Sequence, residues 1–423
     1  MSIAIGLDFG SLDLRGAYVS GEEVISVPRP AAEGTWCSWL FIDAASEGGP
    51  LGFTFTSLKH RVGDPKRFPW RGAEVLPEDA IQDTIASIKR AMEIYAGDEV
   101  SSAVISVPAL YSARRRALLR TVAEDAGLGH VELINDCTAA ALGHTHGADE
   151  AARTLLVFSM GYSGLEVAVV RSTHQRLREL VHEGLPAPSG RDFDLKIMLA
   201  AMETLRSQNM ALPVRVFTSQ WFDFRYLASG VKERLSLHDV AALELPSYIT
   251  GGEAVRIQFD RAHLEQFIAP DVERAVALVR AALDEVDMAP EHISEVVLVG
   301  GSTKIGLIQQ QLSSLLGDKL VQPRDDLLAL GAALQAERIR QEPAAGDACP
   351  EPQPIPMPPA TTPPEEPEPA LSTDASRPVP PEADGLFDYA QRLADAGDRE
   401  AALAYLEQLE LRARTLREHL GGT

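Results

Sequence analysis

Val297-Leu298-Val299-Gly300-Gly301-Ser302-Thr303-Lys304 reads as a strand that runs into a glycine turn opening a helix. The β-branched run ends at the glycine pair, as strands do. Glycine at such a turn lets backbone N–H groups approach phosphate oxygens, and the following helix N-terminus adds positive partial charge. Two further glycine-bearing turns follow strand-like runs: Gly6-Leu7-Asp8-Phe9-Gly10-Ser11, and Val157-Phe158-Ser159-Met160-Gly161-Tyr162-Ser163-Gly164. Each alone has the pattern of an ordinary tight turn. No G-x-x-x-x-G-K-[ST] stretch and no well-placed G-x-G-x-x-G occurs, which excludes a P-loop protein and a standard dinucleotide fold.

Outward from these turns, residues 1–340 alternate strands and helices. Ile3–Asp8, Ser102–Pro108, Val131–Ile134, Thr154–Met160, Leu165–Val170 and Val296–Val299 are short runs closed by Gly, Pro or Asp. Between them lie amphipathic stretches: Ile81, Ile85, Ile88 and Met92 share one helical face, and Val272, Val276, Val279 and Leu283 share another. The alternation predicts α/β architecture with helix-covered sheets.

The composition sets the outer limits. The chain has 423 residues, 45% of them hydrophobic, and a formal charge of −22. So acidic a surface argues against a nucleic-acid binder, which needs a basic footprint. No apolar run reaches the length of a membrane span, and the N-terminus lacks a basic leader; a cytoplasmic, membrane-free chain is expected. Cys37, Cys137 and Cys349 are too few and too scattered for a disulfide framework or a Cys-based zinc site. After Arg340 the composition changes abruptly. Residues 343–381 hold 14 of the 28 prolines, so 341–385 is expected to be a disordered acidic linker. Beyond it, Leu406, Leu409, Ala413, Leu416 and Leu420 form a heptad-like seam, and 386–420 is expected to be a helical hairpin of tetratricopeptide or coiled-coil type. Either the linker or the hairpin could dock an unknown protein partner.

Five stretches in order resemble the heat shock protein 70 (DnaK-type chaperone) family. Val107-Pro108-Ala109-Leu110-Tyr111 with Arg116 resembles V-P-A-Y-F and its downstream arginine. Ile134-Asn135-Asp136-Cys137-Thr138-Ala139-Ala140-Ala141 resembles I-N-E-P-T-A-A-A. Gly190-Arg191-Asp192-Phe193-Asp194 resembles G-E-D-F-D. Val297 through Lys304 resembles V-L-V-G-G-S-T-R, and Asp325 through Ala333 resembles D-E-A-V-A-Y-G-A-A. The resemblance covers about residues 3–340. It implies an actin-like ATPase fold: two lobes, each on a ribonuclease H-like α/β core, with ATP or ADP and Mg²⁺ between them. It makes Asp8 and Asp136 metal ligands through water, and Gly10 and Ser11 a phosphate loop. Lys59 takes the place of the catalytic lysine, and Gly161 belongs to the second phosphate loop. Gly190, Lys232, Ser236, Gly300, Gly301, Ser302, Lys304 and Asp325 complete the nucleotide pocket.

The departures concentrate in the second loop, D-L-G-G-G-T-F-D in the family. Here Ser159 replaces the acidic residue, Tyr162 and Ser163 replace two glycines, and Gly164 replaces the threonine. Tyr162 is expected to put a ring where backbone approaches the γ-phosphate. Leu12 replaces a threonine in the first loop, and Cys137 replaces the proline tied to signalling between lobes. The acidic proline-rich stretch stands where the family has its hydrophobic linker and β-rich substrate domain. These features give a nucleotide-binding, chaperone-like protein with weak or absent hydrolysis; a non-catalytic scaffold and an actin-like assembly protein stand as alternatives.

Overall fold

The computed structural model describes residues 2–341 apart from 12–13, 22, 28–38, 45–51, 66, 71–72, 149–150, 174–175, 211–213 and 215–218. The expected linker beyond Gln341, the expected hairpin, Leu12, Cys37 and Cys349 lie outside the described residues. Met1–Glu342 groups as one unit.

Its first half contains β1 (Ser2–Phe9), β2 (Leu14–Ser20), β3 (Glu23–Val27), the hairpin β4 (Trp39–Ala44) and β5 (Gly52–Ser57), and the short α1 (Leu58–Arg61). Then come the small hairpin β6 (Phe68–Trp70) and β7 (Ala73–Val75), α2 (Pro77–Ala96), β8 (Glu99–Val107), α3 (Ala113–Asp125), β9 (His130–Asn135) and α4 (Asp136–Thr145). The second half contains β10 (Arg153–Met160), β11 (Leu165–Thr173), β12 (Arg176–Leu185), α5 (Gly190–Ser207) and α6 (Ser219–Leu237). It continues through β13 (Val240–Leu245), α7 (Ser247–Thr250), β14 (Val255–Asp260), α8 (Arg261–Glu285), β15 (Glu295–Val299), α9 (Gly306–Leu316), β16 (Leu320–Val321) and α10 (Leu327–Gln341).

The two halves repeat one plan. One sheet has the order β3-β2-β1-β8-β9, the other β12-β11-β10-β15-β16. In each, three antiparallel strands are followed by two parallel ones. This is the duplicated ribonuclease H-like plan of the actin-like ATPase fold. The helical faces read from the sequence point inward: Ile81, Ile85, Ile88 and Met92 of α2 and Val272, Val276, Val279 and Leu283 of α8 are all buried.

Two helices lie between the sheets. The alanine-rich face of α4 packs with Leu155, Val157, Val297 and Val299 of the second sheet, and Ala332 and Ala336 of α10 pack with Ala4 and Val104 of the first. The helices cross each other closely because glycine stands at the crossing. A Cβ on Gly331 would lie 1.8 Å from the Ala139 carbonyl oxygen, and one on Gly143 would lie 2.4 Å from that of Leu327. Gly6 does the same for β1 against α10, with Ala333 N 2.0 Å from its would-be Cβ. The join between lobes is thus built from small residues whose side chains cannot grow without moving backbone.

Candidate functional site

In open α/β sheets ligands bind beyond the carboxyl ends of strands, and the singled-out residues lie there. Asp8 is at the end of β1, Asp136 directly follows β9, Gly161 follows β10 and Gly300 follows β15. Strands β1, β10 and β15 are held on both sides by ladder partners and β9, at the sheet edge, by β8, which fixes where each last residue points.

On the first lobe, Lys59 in α1 reaches Asp136 with its Nζ 2.9 Å from Oδ2. Lys59, Asp136 and Asp8 are 8%, 6% and 6% exposed, so charges meet here with little water between them. Burial pushes the Lys59 ammonium down, but the carboxylates of Asp136 and Asp8 outweigh it and hold the group above the usual lysine range. Tyr111, from the Val107–Tyr111 stretch, donates its hydroxyl hydrogen to the Lys59 carbonyl and anchors the lysine's backbone. Asp136 Oδ1 is buried and has no hydrogen-bond partner. A buried carboxylate oxygen left this way calls for a cation or water.

The Gly10-Ser11 turn, expected from the sequence to hold phosphate, meets the Gly161–Gly164 turn: Ser11 Oγ lies 2.5 Å from Ser163 Oγ. His60 Nε2 is also 2.5 Å from that hydroxyl. Ser163, read from the sequence only as a lost glycine, is therefore the contact point between the two loops. Tyr162 is 9% exposed, and the Arg225 guanidinium of α6 stands over its ring at 4.8 Å. The ring is committed to that stacking contact inside the second lobe.

On the second lobe four of the chosen residues converge. Gly190 N donates to the Gly161 carbonyl at 3.0 Å, and Ser302 Oγ donates to the same oxygen at 3.2 Å. Lys232 Nζ donates to the Gly190 carbonyl at 3.0 Å and lies 2.6 Å from Asp194 Oδ1. A Cβ on Gly190 would be 2.7 Å from Ser302 Oγ and 3.3 Å from Lys232 Nζ, whereas Gly161 and Gly301 have nothing within 4 Å of theirs. Glycine at 190 thus closes the junction, and glycines at 161 and 301 leave bare backbone facing open space. Gly300 needs its residue type twice over: its φ is +87°, and a Cβ would sit 2.5 Å from the Met160 carbonyl oxygen. Asp194 carries no signal of its own within the Gly190–Asp194 stretch; beside Lys232 it becomes a charge partner. Burial raises its carboxyl to about 6 even against the Lys232 charge.

The remaining chosen residues lie at the rim. Lys304 Nζ is 2.7 Å from Asp325 Oδ2, both about 45% exposed, and Ser236 donates to the Lys232 carbonyl one turn back in α6. Arg116, read only as part of a motif, ties two stretches together: it donates to the Pro108 carbonyl at 3.0 Å and to Asn135 Oδ1 at 2.6 Å. Among the described residues no helix is long and apolar enough to cross a membrane.

A protein-family model described as Hsp70 protein matches residues 66–345. The match takes in Asp136, the second loop, Gly190, Lys232 and the Gly300–Asp325 side, and begins after Asp8, Ser11 and Lys59. It spans well over half of the chain, and the two repeated sheets agree with it. The protein belongs to the Hsp70 family and carries that family's nucleotide-binding domain, of the actin-like ATPase fold.

Proposed function

We propose that the protein binds ATP or ADP with Mg²⁺ in this cleft, hydrolyses ATP weakly or not at all, and uses the bound state to control a protein partner. The observation that carries this reading is the buried Lys59–Asp136–Asp8 cluster set opposite the bare backbone of Gly161 and Gly301. The residues fit both groups. Asp136 Oδ1 offers a buried acceptor without a partner, and Gly301 without Cβ leaves room where phosphates need N–H groups, while the Gly161 N–H donates to the Gly164 carbonyl at 3.1 Å and leaves only its open face.

Bound Mg²⁺ would neutralise phosphate charge, held through water by the carboxylates of Asp8 and Asp136. Lys59 keeps a permanent positive charge at the cluster, the role a lysine serves where charge builds on a γ-phosphate. Gly10 and Ser11 offer donors from the first lobe. Gly300, Gly301, Ser302, Lys304 and Asp325 line the nucleoside side, with Lys304 supplying charge but not the flat stacking face of an arginine. Lys232 is a positioning residue, holding the Gly190 turn through its carbonyl, and Ser236 supports it.

Weak hydrolysis follows from the second loop. Ser159 has no carboxylate to align water, and Gly164 has no hydroxyl to donate. Loss of one preorganised donor costs about 10²–10³ in rate, so several losses together leave little. Partner control would run through the segment beyond 342 and its expected hairpin. The test is calorimetric titration of the full chain with ATP and with ADP in Mg²⁺, then turnover on the same sample. Binding at about micromolar or tighter, roughly −8 kcal/mol, with very slow turnover supports the reading. No heat and no thermal shift at millimolar nucleotide overturns it in favour of a scaffold that does not use nucleotide.

A further inference from the structure

Cys137, Glu166 and His182 come from three elements, α4, β11 and β12, and their ligand atoms all lie within 4.8 Å of one another. The thiol is fully buried, the Glu166 side chain is 10% exposed and that of His182 8%. Glu166 uses one oxygen: Oε1 accepts from Ala109 N at 3.0 Å. Its Oε2 and both ring nitrogens of His182 are buried and lack a hydrogen bond of good geometry, their nearest partners being the longer ion-pair contacts that follow. His182 Nε2 stands 3.5 Å from Glu166 Oε2, and Nδ1 stands 3.3 Å from Glu179 Oε2.

We propose that Cys137, Glu166 and His182 form a binding site for a thiolate-preferring divalent cation of the zinc class, separate from the Mg²⁺ position at Asp8 and Asp136. Tetrahedral bonds of about 2.0–2.3 Å put neighbouring donor atoms roughly 3.3–3.5 Å apart, which is the Nε2–Oε2 spacing already present. Charge points the same way. Burial pulls the His182 imidazole down, but its contacts with Cys137, Glu166 and Glu179 outweigh this and push it up to about 12. A divalent ion would displace its Nε2 proton together with the thiol proton, so two charges replace two and the net charge of the buried group is unchanged. Sulfur and imidazole together select zinc-like ions over Mg²⁺, which takes oxygen ligands. Water completes the coordination.

The surroundings hold these ligands in place. Glu179 lies on the far nitrogen of His182, the carboxylate–histidine arrangement that directs the other nitrogen to a metal. Glu179 in turn accepts from Thr138 Oγ1 at 2.6 Å and from Asn135 Nδ2 at 3.3 Å. Asn135 accepts from Arg116, which also donates to the Ala109 carbonyl at 3.4 Å. The chain of contacts returns through Ala109 N to Glu166, closing a ring around the site. A cation here would pin the first turn of α4, which carries Asp136, to β11 and β12.

The experiment uses the full chain, stripped with chelator and titrated with Co²⁺ and Zn²⁺ without nucleotide. One equivalent bound, with a near-ultraviolet thiolate-to-cobalt charge-transfer band that Zn²⁺ abolishes, is expected. Cys137→Ser should remove the band, and His182→Gln should weaken binding by at least about 10-fold. Glu179→Gln should keep the band but lower affinity about 10–100-fold. Circular dichroism checks that each variant folds; the wild-type titration decides the matter even if one does not. No thiolate band in wild type, or a band that survives Cys137→Ser in folded protein, overturns the proposal. Because no nucleotide is present, failure here is distinguishable from failure of nucleotide binding.

Discussion

Lys59→Met should destabilise the protein far more than loss of an ordinary surface lysine. The ammonium lies 2.9 Å from Asp136 Oδ2, both groups are under 10% exposed, and Asp8 adds a second carboxylate nearby. Removing the cation leaves two buried anions facing each other. Breaking a buried pair in this way costs about 3–5 kcal/mol, against about 0–1 kcal/mol for an exposed pair. Adding Asp136→Asn to the variant should return roughly half of that loss, since the stranded charge is what is costly. Urea unfolding at pH 7.5, followed by circular dichroism, measures the four corners of the cycle. The pH leg has a definite sign. The folded pKa of Lys59 is raised above its unfolded value of about 10.4. The stability it contributes is therefore fully present below that value and lost only as pH rises through the folded one. The gap between wild type and Lys59→Met should be flat from about pH 6 to 9. A loss under about 1 kcal/mol, or no recovery in the double variant, would show that the cluster is not the buried charge pair described.

Gly300→Ala should cost about 1–2 kcal/mol for the left-handed backbone alone, and more for the approach of its Cβ to the Met160 carbonyl; a Tm drop no larger than that of Gly147→Ala, whose Cβ meets nothing, refutes it. Gly331→Ala should lose more from collision with the Ala139 backbone than the roughly 1 kcal/mol of helix propensity it gains; denaturant midpoints read the sign. Ending the chain at Glu342 should leave a folded, soluble protein, since Met1–Glu342 groups as one unit; aggregation of that product would place part of the tail in the main core. Ser159→Asp, Tyr162→Gly and Gly164→Thr together should raise single-turnover hydrolysis of labelled ATP well above wild type, each alone doing little. No gain with binding intact would put the defect in another loop.

The sheets were legible where strand chemistry is dense. Val296–Val299 and Thr154–Met160 are apolar runs ended by glycine turns, and they are the paired central strands β15 and β10. The faces of α2 and α8 were legible because a 3.6-residue period survives in them. Strand β12 was not: Arg176–Leu185 carries four charged residues, a histidine and a single β-branched residue, so its pattern resembles a solvated loop. That omission hid His182 and Glu179, and with them the surroundings of Cys137. Contacts between lobes were equally hidden. Ser11 and Ser163 are 152 positions apart, and no local pattern joins them. Arg225 over Tyr162 could be found only once α6 was folded against the loop.

The same structure separates what a second-loop change can alter from what it cannot. Gly161 is tied on both sides: its carbonyl accepts from Gly190 and Ser302, and its N–H donates to the Gly164 carbonyl at 3.1 Å, a backbone contact that does not need a side chain at 164. Gly164 gives up a side chain without collapse, since a Cβ there would make only ordinary contact, 3.5 Å from the Leu185 carbonyl oxygen. Tyr162 is accommodated by burial beneath Arg225, a contact worth about 1–2 kcal/mol when desolvated. Reverting it to glycine therefore removes a stabilising contact while restoring backbone access. The loop has exchanged chemical groups for packing, and the strand ends that carry Asp8, Asp136 and Gly300 do not depend on it. On the function proposed above, binding and turnover would be separable: the nucleotide would rest on strand ends and glycine backbone held by both sheets, whereas alignment of the attacking water would rest on side chains that Ser159 and Gly164 do not provide.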